Sequence, residues 1–127
     1  MRQYIGIPYV EGGRDYEGAD CWGLVRLYYQ TEYGIELPGL DGRYRVHDSQ
    51  EVADLVDEIK PTISATPVEW PQQGDVVVIK FRGYPMHTGI FIPGNRVLHT
   101  LSGTESVLEP LDRGRLKGRV EGYYRVG

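Results

Sequence analysis

The chain has a single cysteine, Cys21, among its 127 residues. One cysteine cannot form a disulfide within the chain, so the fold does not depend on an oxidising compartment. Positive charge is also scarce, because 14 Lys and Arg stand against 18 Asp and Glu, for a net charge of −4. This balance gives no electrostatic basis for nucleic acid or an anionic membrane as the main partner. The one basic cluster, "RGRLKGR" (113–119), is predicted to be a solvated turn.

Long apolar runs are missing as well. A run such as "VVVI" (76–79) is far too short to span a bilayer, so no membrane insertion is expected. The opening "MRQYIGIPYVEGG" lacks a basic start followed by a long apolar segment, so no signal peptide is predicted. We expect the protein to be made in the cytoplasm. If it acts outside the cytoplasm, another component must deliver it there. Length and the lack of repeats predict one domain over residues 1–127.

The first third of the chain predicts a loop followed by a helix. Residues 8–19, "PYVEGGRDYEGA", have the glycine content of a loop. Asp20 is a suitable N-cap for a helix that begins next to it, and Gly34 is a suitable C-cap. Apolar residues recur at helical spacing after Asp20: Leu24, Val25, Leu27, Tyr28 and Ile35.

The remainder predicts a second helix and then a run of strands. "DSQEVADLVDEI" (48–59) has helical spacing, and the proline-rich 60–73 is predicted to be a connection. The strand candidates are 75–81, 87–92, 95–101, 105–111 and 119–126. Helices followed by neighbouring strands predict an α+β fold, with the Cys-bearing helix packed on a meandering antiparallel sheet.

Cys21 lies between an aspartate and an apolar run. A lone cysteine with histidines elsewhere in the chain is a candidate nucleophile, and the start of a helix is expected to lower the pKa of its thiol. The candidate bases are His87 and His99, whereas His47 is predicted to be a surface residue. Two alternatives stay open on the residues alone. Cys21 could be a small core residue, or Cys21 and two histidines could bind zinc, which the wide spacing of these ligands disfavours.

His87 and His99 fall on the two arms of a predicted hairpin around "PGN" (93–95). If those three residues form the loop, the alternation of side chains puts both imidazoles on one face as diagonal neighbours. A two-residue loop would put them on opposite faces. In the first geometry one imidazole can take the Cys21 proton and the other can fix its tautomer and orientation.

Two stretches of the chain resemble the NlpC/P60 family of cell-wall cysteine peptidases. "GIPYVEGGRDYEGADCWGLVR" is similar to the opening motif of that family: Pro-Tyr, Gly-Gly, then Asp-Cys-x-Gly-Leu-Val. "QQGDVVVIKF" and "HTGIFIPGNRVLHT" resemble the strand before the catalytic histidine and the histidine hairpin. The resemblance covers roughly residues 4–37 and 71–101.

The resemblance implies a papain-like fold, and no metal or cofactor is expected at the site. It implies that Cys21 is the nucleophile, His87 the general base and His99 the orienting residue, with Tyr9 lining the site. The implied substrate is the peptide stem of peptidoglycan, often cut between D-glutamate and a diamino acid. Asp20 matches a family aspartate that is associated with recognition of a free N-terminal amine on the stem.

Two departures resemble short phage-encoded members of the family. The serine usual after the cysteine is Trp22 here, and the usual aromatic before Gly-Gly is Glu11. Trp22 is expected to face the substrate and alter specificity, and the alternative is that it packs in the core. The resemblance implies delivery by a phage tail or prophage-derived particle, with tail proteins as candidate partners.

Two rival functions follow from the same fold. One is a tail assembly or binding module with little turnover, which an intact Cys21, His87 and His99 set disfavours. The other is a lipid acyltransferase of the wider papain-like superfamily. In those enzymes the histidine precedes the cysteine, whereas Cys21 precedes His87 here.

Overall fold

The structure is a computed structural model that describes residues 1–39, 63–81 and 83–126. Within these ranges an α-helix packs on a six-stranded antiparallel sheet, which is the predicted α+β class. The predicted second helix at 48–59 and His47 both lie outside the described residues.

The main helix, α1 (Cys21–Tyr33), begins at the cysteine. Asp20 is its N-cap, with extended backbone and a side chain that accepts the N–H of Gly23 at 2.7 Å. At the other end Gly34 adopts a left-handed φ of 66°, and its N–H bonds back to the carbonyl of Gln30. Both ends of the helix therefore lie where their capping residues predict them.

The apolar face of α1 supplies one half of the main core. Four of the predicted positions, Leu24, Val25, Leu27 and Tyr28, are buried there. The fifth, Ile35, lies beyond the C-cap and is 38% exposed. Its inclusion was wrong because Gly34 ends the helical periodicity one residue earlier.

The strands are short, and all neighbours in the main sheet are antiparallel. They are β1 (Arg14–Asp15), β2 (Gly18–Ala19), β3 (Thr66–Val68), β4 (Val76–Phe81), β5 (Tyr84–Ile92), β6 (Arg96–His99), β7 (Val107–Pro110) and β8 (Val120–Arg125). The main sheet has the order β3-β8-β4-β5-β6-β7. β1 and β2 form a small separate ladder inside the predicted loop at 8–19.

The predicted meander holds for β4 to β7, and β8 then returns to pair with β4. That return places β4 inside the sheet, with a strand on either side. Both faces of β4 are also covered by core residues. Val76 packs in the cluster on the helix side, and Val77 packs in a second cluster on the opposite side. Burial on both faces is the physical reason for the unbroken apolar run in β4.

The segment 60–73 is more than the connection that its prolines predict. β3 lies within it and pairs with β8, with Pro67 opposite Tyr124. A proline fits there because β3 is at the edge of the sheet, where the backbone groups on one side of the strand have no neighbouring strand to pair with. The sequence prediction missed this strand because its partner lies more than fifty positions away, at Tyr123–Arg125.

Ser106 ties the start of the chain to the segment before β7. Its fully buried hydroxyl accepts the N–H of Ile7 at 2.8 Å and donates to the carbonyl of Tyr4 at 2.6 Å. The backbone of Ser106 adds bonds to Ile7 and Gly6. These bonds hold the segment that precedes the helix against the β6–β7 side of the sheet.

Candidate active site

The hairpin of β5 and β6 brings two imidazoles together. Ile92 pairs with Arg96, so 93–95 form the three-residue loop on which the sequence prediction depended. With that register, Nε2 of His87 lies 2.8 Å from Nδ1 of His99. Both rings are buried, at 4% and 1% exposure. The predicted diagonal pair on one face of the hairpin is therefore confirmed.

The hydrogen-bonded chain continues beyond His99 to two residues that the sequence analysis did not single out. Nε2 of His99 lies 2.8 Å from Oε1 of Glu109, on β7. Arg115 then donates from Nε to Oε2 of Glu109 at 2.7 Å and from a terminal nitrogen to Oε1 at 2.8 Å. Arg115 belongs to the basic cluster 113–119 that is predicted to be a solvated turn, and its side chain is 56% exposed while it also pairs with Glu109.

A signal for Glu109 exists in the sequence, although a weak one. In "SVLEPL" it is the acidic residue in a short apolar strand, and β7 places it opposite Val97, diagonal to His99. A carboxylate that alternation places on the face of two histidines is a candidate partner for them. The register between β6 and β7 decides that placement, and the sequence leaves this register open.

Burial sets the direction of the pKa shift for the two imidazoles, and hydrogen bonds set it for the carboxylate. Desolvation lowers the pKa of His87 well below its usual value and also lowers that of His99, where the hydrogen bond with Glu109 opposes it. The hydrogen bonds from Arg115 lower the pKa of Glu109. Near neutral pH the chain therefore holds two neutral imidazoles and a carboxylate.

Cys21 stands at the first position of α1, which packs on β5. Desolvation, followed by the carboxylate of Asp20, raises the pKa of its thiol to about 11. The N–H and the hydroxyl of Thr88 and the N–H of Trp22 act in the opposite direction. The expectation of a lowered pKa was wrong. The N–H groups at the start of the helix do stabilise the thiolate, but desolvation destabilises it by more.

Thr88 is the point at which the thiol meets the histidine strand. It follows His87 directly on β5, and it is the residue of that strand that lowers the pKa of the Cys21 thiol. Nε2 of His87 is engaged by His99, so Nδ1 is the ring nitrogen that remains for another partner.

The Asp-Cys-x-Gly motif builds the start of the helix. The Asp20 carboxylate is 3% exposed and accepts the N–H of Gly23 at 2.7 Å and the N–H of Gly12 at 2.9 Å. A Cβ at Gly23 would overlap the carbonyl oxygen of Gly13, so the loop can approach the helix only because Gly23 has no side chain. Asp20 thereby fixes the position of the residue next to it.

Trp22 points away from the solvent. It is 5% exposed, lies in the helix-side core and donates from Nε1 to the carbonyl of Pro38 at 2.8 Å. This placement favours the core alternative over the substrate-facing one. One position from Cys21 is about 100° around a helix, so spacing alone left both open.

Tyr9 lies beside the start of the helix. Its backbone bridges to Ala19, which precedes Asp20, and its N–H donates to the carbonyl of Thr104 at 3.1 Å. The motif loop is therefore fixed both to the helix start and to the segment before β7.

Within residues 1–39, 63–81 and 83–126, no group of three or more His, Cys, Asp or Glu side chains is arranged to hold a metal ion. The helices there are also too short or too polar to cross a membrane.

Comparison with known proteins matches residues 6–124 to the NlpC/P60 family. The chain is 25% identical over 129 residues to Murein DD-endopeptidase MepS/Murein LD-carboxypeptidase of Escherichia coli, covering 99% of this chain and 61% of that protein. It is 30% identical over 86 residues to Tail tip assembly protein K of Escherichia phage N15, covering 66% of this chain and 35% of that protein. The chain thus spans less than two thirds of either relative.

A solved structure has the same fold. The NlpC/p60 domain of the peptidoglycan hydrolase SagA matches with a TM-score of 0.68 at 21% identity, covering 98% of this chain and 92% of that domain. At this identity the likeness is one of fold alone, and it extends over nearly the whole chain.

Proposed function

Because the chain belongs to the NlpC/P60 family, we propose that it is a cysteine peptidase that hydrolyses an amide bond in the peptidoglycan stem peptide. One observation carries this proposal: His87 on β5 and His99 on β6 form a buried, hydrogen-bonded pair at 2.8 Å, and the helix that begins at Cys21 packs on β5. Cys21 is the proposed nucleophile, His87 the general base and His99 the residue that orients it.

The proposed reaction starts from a neutral thiol and a neutral imidazole. Burial raises the pKa of Cys21 to about 11 and lowers that of His87, so the proton moves during attack and not before it. Sγ bonds to the carbonyl carbon while its proton passes to Nδ1 of His87. The carbonyl electron pair becomes an oxyanion, for which the N–H of Cys21 is the proposed donor.

The second half of the reaction returns the enzyme to its resting state. The tetrahedral intermediate expels the amine, which takes the proton from His87 and leaves a thioester on Cys21. His87 then accepts a proton from water as its oxygen attacks the thioester, and it returns that proton to the departing sulfur.

Peptidoglycan as the substrate is supported by what the relatives act on. One relative is a murein endopeptidase and carboxypeptidase by name. Within the stem, we propose the bond between D-glutamate and the diamino acid, with Tyr9 lining the site. Asp20 caps the helix with both carboxylate oxygens, so its proposed role is to position Cys21 and not to bind a substrate amine. In this scheme residues 1–127 act as one catalytic domain.

Similarity to Tail tip assembly protein K supports a role in a phage tail. We propose a tail-associated cell-wall hydrolase, with tail proteins as partners. The same similarity favours a second candidate, an assembly module of the same fold with little or no turnover. The two candidates differ in one property, which is whether Cys21 is needed for cleavage.

Purified muropeptides distinguish these candidates. The parent protein and Cys21→Ser are incubated with them, and the products are read by mass spectrometry. We expect the parent to add water to one stem amide, Cys21→Ser to leave it intact, and His87→Ala to slow turnover on the order of a thousandfold or more. His99→Gln should cost less. A parent that cleaves nothing, with tail assembly unaffected by Cys21→Ser, would favour the assembly module.

A further inference from the structure

We propose that Glu109, held by Arg115, is a positioning residue that decides which nitrogen of each buried imidazole carries the proton, and so makes Nδ1 of His87 the basic nitrogen. The inference rests on the proposed function, in which that nitrogen receives the proton of Cys21. It extends the site from three residues to five and brings in a surface arginine.

Only one assignment of donors and acceptors fits the hydrogen bonds that link His87, His99 and Glu109. An ionised carboxylate only accepts, so Nε2 of His99, 2.8 Å from Oε1 of Glu109, carries a proton. A neutral His99 then has a bare Nδ1, which accepts from Nε2 of His87 at 2.8 Å. A neutral His87 with its proton on Nε2 has a lone pair on Nδ1, the nitrogen that a general base needs.

The charge states that this order requires follow from the surroundings of each group. His99 faces His87 from β5, Glu109 from β7 and Arg115 from the loop before β8. Burial keeps both imidazoles neutral, because it lowers the pKa of each. The two hydrogen bonds from Arg115 keep Glu109 ionised, because they lower the pKa of its carboxyl.

An amide at position 109 would remove this control. Glu109→Gln offers His99 an N–H as well as an oxygen. If the N–H donates to Nε2 of His99, that ring carries its proton on Nδ1 and donates it to His87, whose own proton must then sit on its Nδ1. In that tautomer His87 cannot accept the thiol proton. His99 is 1% exposed, so water offers no competing partner that would restore the first order.

The experiment uses three variants of the full chain. Glu109→Gln changes the carboxylate, and Arg115→Gln removes its anchor. Arg113→Gln is the matched control, since Arg113 lies in the same loop and pairs with Asp112 with 74% of its side chain exposed. Two quantities are measured: the ¹⁵N shifts of the imidazole nitrogens near neutral pH, and kcat and KM on a muropeptide. Thermal unfolding reports whether each variant is folded.

We expect the parent and Arg113→Gln to hold the proton on Nε2 of both rings. Glu109→Gln should populate Nδ1–H on both rings and lower kcat by between about tenfold and about 10⁴-fold, with KM little changed. Arg115→Gln should lower kcat less than Glu109→Gln does. It should also move the acidic limb of the pH–rate profile to higher pH, because removal of the guanidinium raises the pKa of Glu109 and of both imidazoles.

Parent-like tautomers and parent-like kcat in Glu109→Gln would overturn the inference. If that variant does not fold, Arg115→Gln decides, and an unmoved acidic limb with unchanged nitrogen shifts overturns it. The nitrogen spectra need no substrate. A parent that cleaves no muropeptide while showing the expected tautomers therefore counts against the proposed function and leaves the positioning role supported.

Discussion

Nε1 of Trp22 donates to the carbonyl oxygen of Pro38 across 2.8 Å, and so joins the first turn of α1 to the chain beyond its C-cap. Because Trp22 is 5% exposed, we expect Trp22→Ser to lower the free energy of unfolding by about 3–5 kcal/mol. Trp22→Phe keeps most of the ring and should cost less. Urea unfolding measures both. A serine variant of parent stability, with an altered preference for muropeptides that carry the sugar, would favour the substrate-facing alternative.

The thiol of Cys21 should react slowly with iodoacetamide near pH 6. Its pKa is raised to about 11, so the thiolate is a small fraction of the population and the rate should rise with pH far beyond neutrality. The measurement is the alkylation rate against pH, with free cysteine as the reference thiol. Rapid alkylation at pH 6 that His87→Ala slows would instead indicate a thiolate–imidazolium pair at rest.

Thr88 should set part of the acidity of Cys21. The N–H of Thr88 and then its hydroxyl lower the pKa of the thiol, and Thr88→Val removes only the hydroxyl while keeping the β-branched shape. We expect the alkylation midpoint to move to higher pH. Thr100→Val is the matched control, because its hydroxyl is also buried, at 1% residue exposure against 5% for Thr88. An unchanged midpoint in Thr88→Val, or an equal shift in Thr100→Val, would contradict a contact specific to Thr88.

Stability should fall as the pH drops below the ordinary pKa of histidine. The folded-state pKa values of His87 and His99 lie below 6.5, so in that window the unfolded chain binds more protons than the folded one. Above about pH 6.5 both histidines are neutral in the folded and the unfolded chain, so their protonation does not change the free energy of unfolding. Below that pH the preferential protonation of the unfolded chain lowers the free energy of unfolding. The lowered pKa of Glu109 adds a loss that begins only below its ordinary value of 4.5. Thermal unfolding from about pH 8 to about pH 5 tests the histidine window. His87→Gln should show a shallower slope there, and a slope equal to that of the parent would argue against this account.

Local sequence signals were enough for the parts of the site that neighbours along the chain specify. Asp20 caps α1 and Gly34 ends it because capping depends on a residue and the next few backbone groups. The pairing of His87 with His99 was predicted only on condition that "PGN" (93–95) forms a three-residue loop, because loop length fixes which side chains share a face, and the pairing of Ile92 with Arg96 meets that condition.

The remaining features depend on contacts that no local pattern encodes. Glu109 reaches His99 only through the register of β6 and β7, and Arg115 reaches Glu109 only because the loop after β7 turns back. The pKa of Cys21 depends on desolvation by the surrounding protein, and a helix start cannot reveal how strongly the finished fold desolvates this half-buried residue. The helical position of Trp22 allowed its side chain either to face the substrate or to pack in the core, and the packing of the whole core decided between the two.

The hydroxyl of Ser106 bonds to the carbonyl of Tyr4 across 102 positions of sequence. During synthesis the ribosome releases Cys21 long before it makes that serine, and the imidazoles and the carboxylate also come from the later part of the chain. Contacts of such long range close late, because the loop between them must first give up its conformational freedom. The order of translation therefore keeps the nascent protein without a complete site, and a chain truncated before Ser106 would carry Cys21, His87 and His99 but lack Glu109 and Arg115.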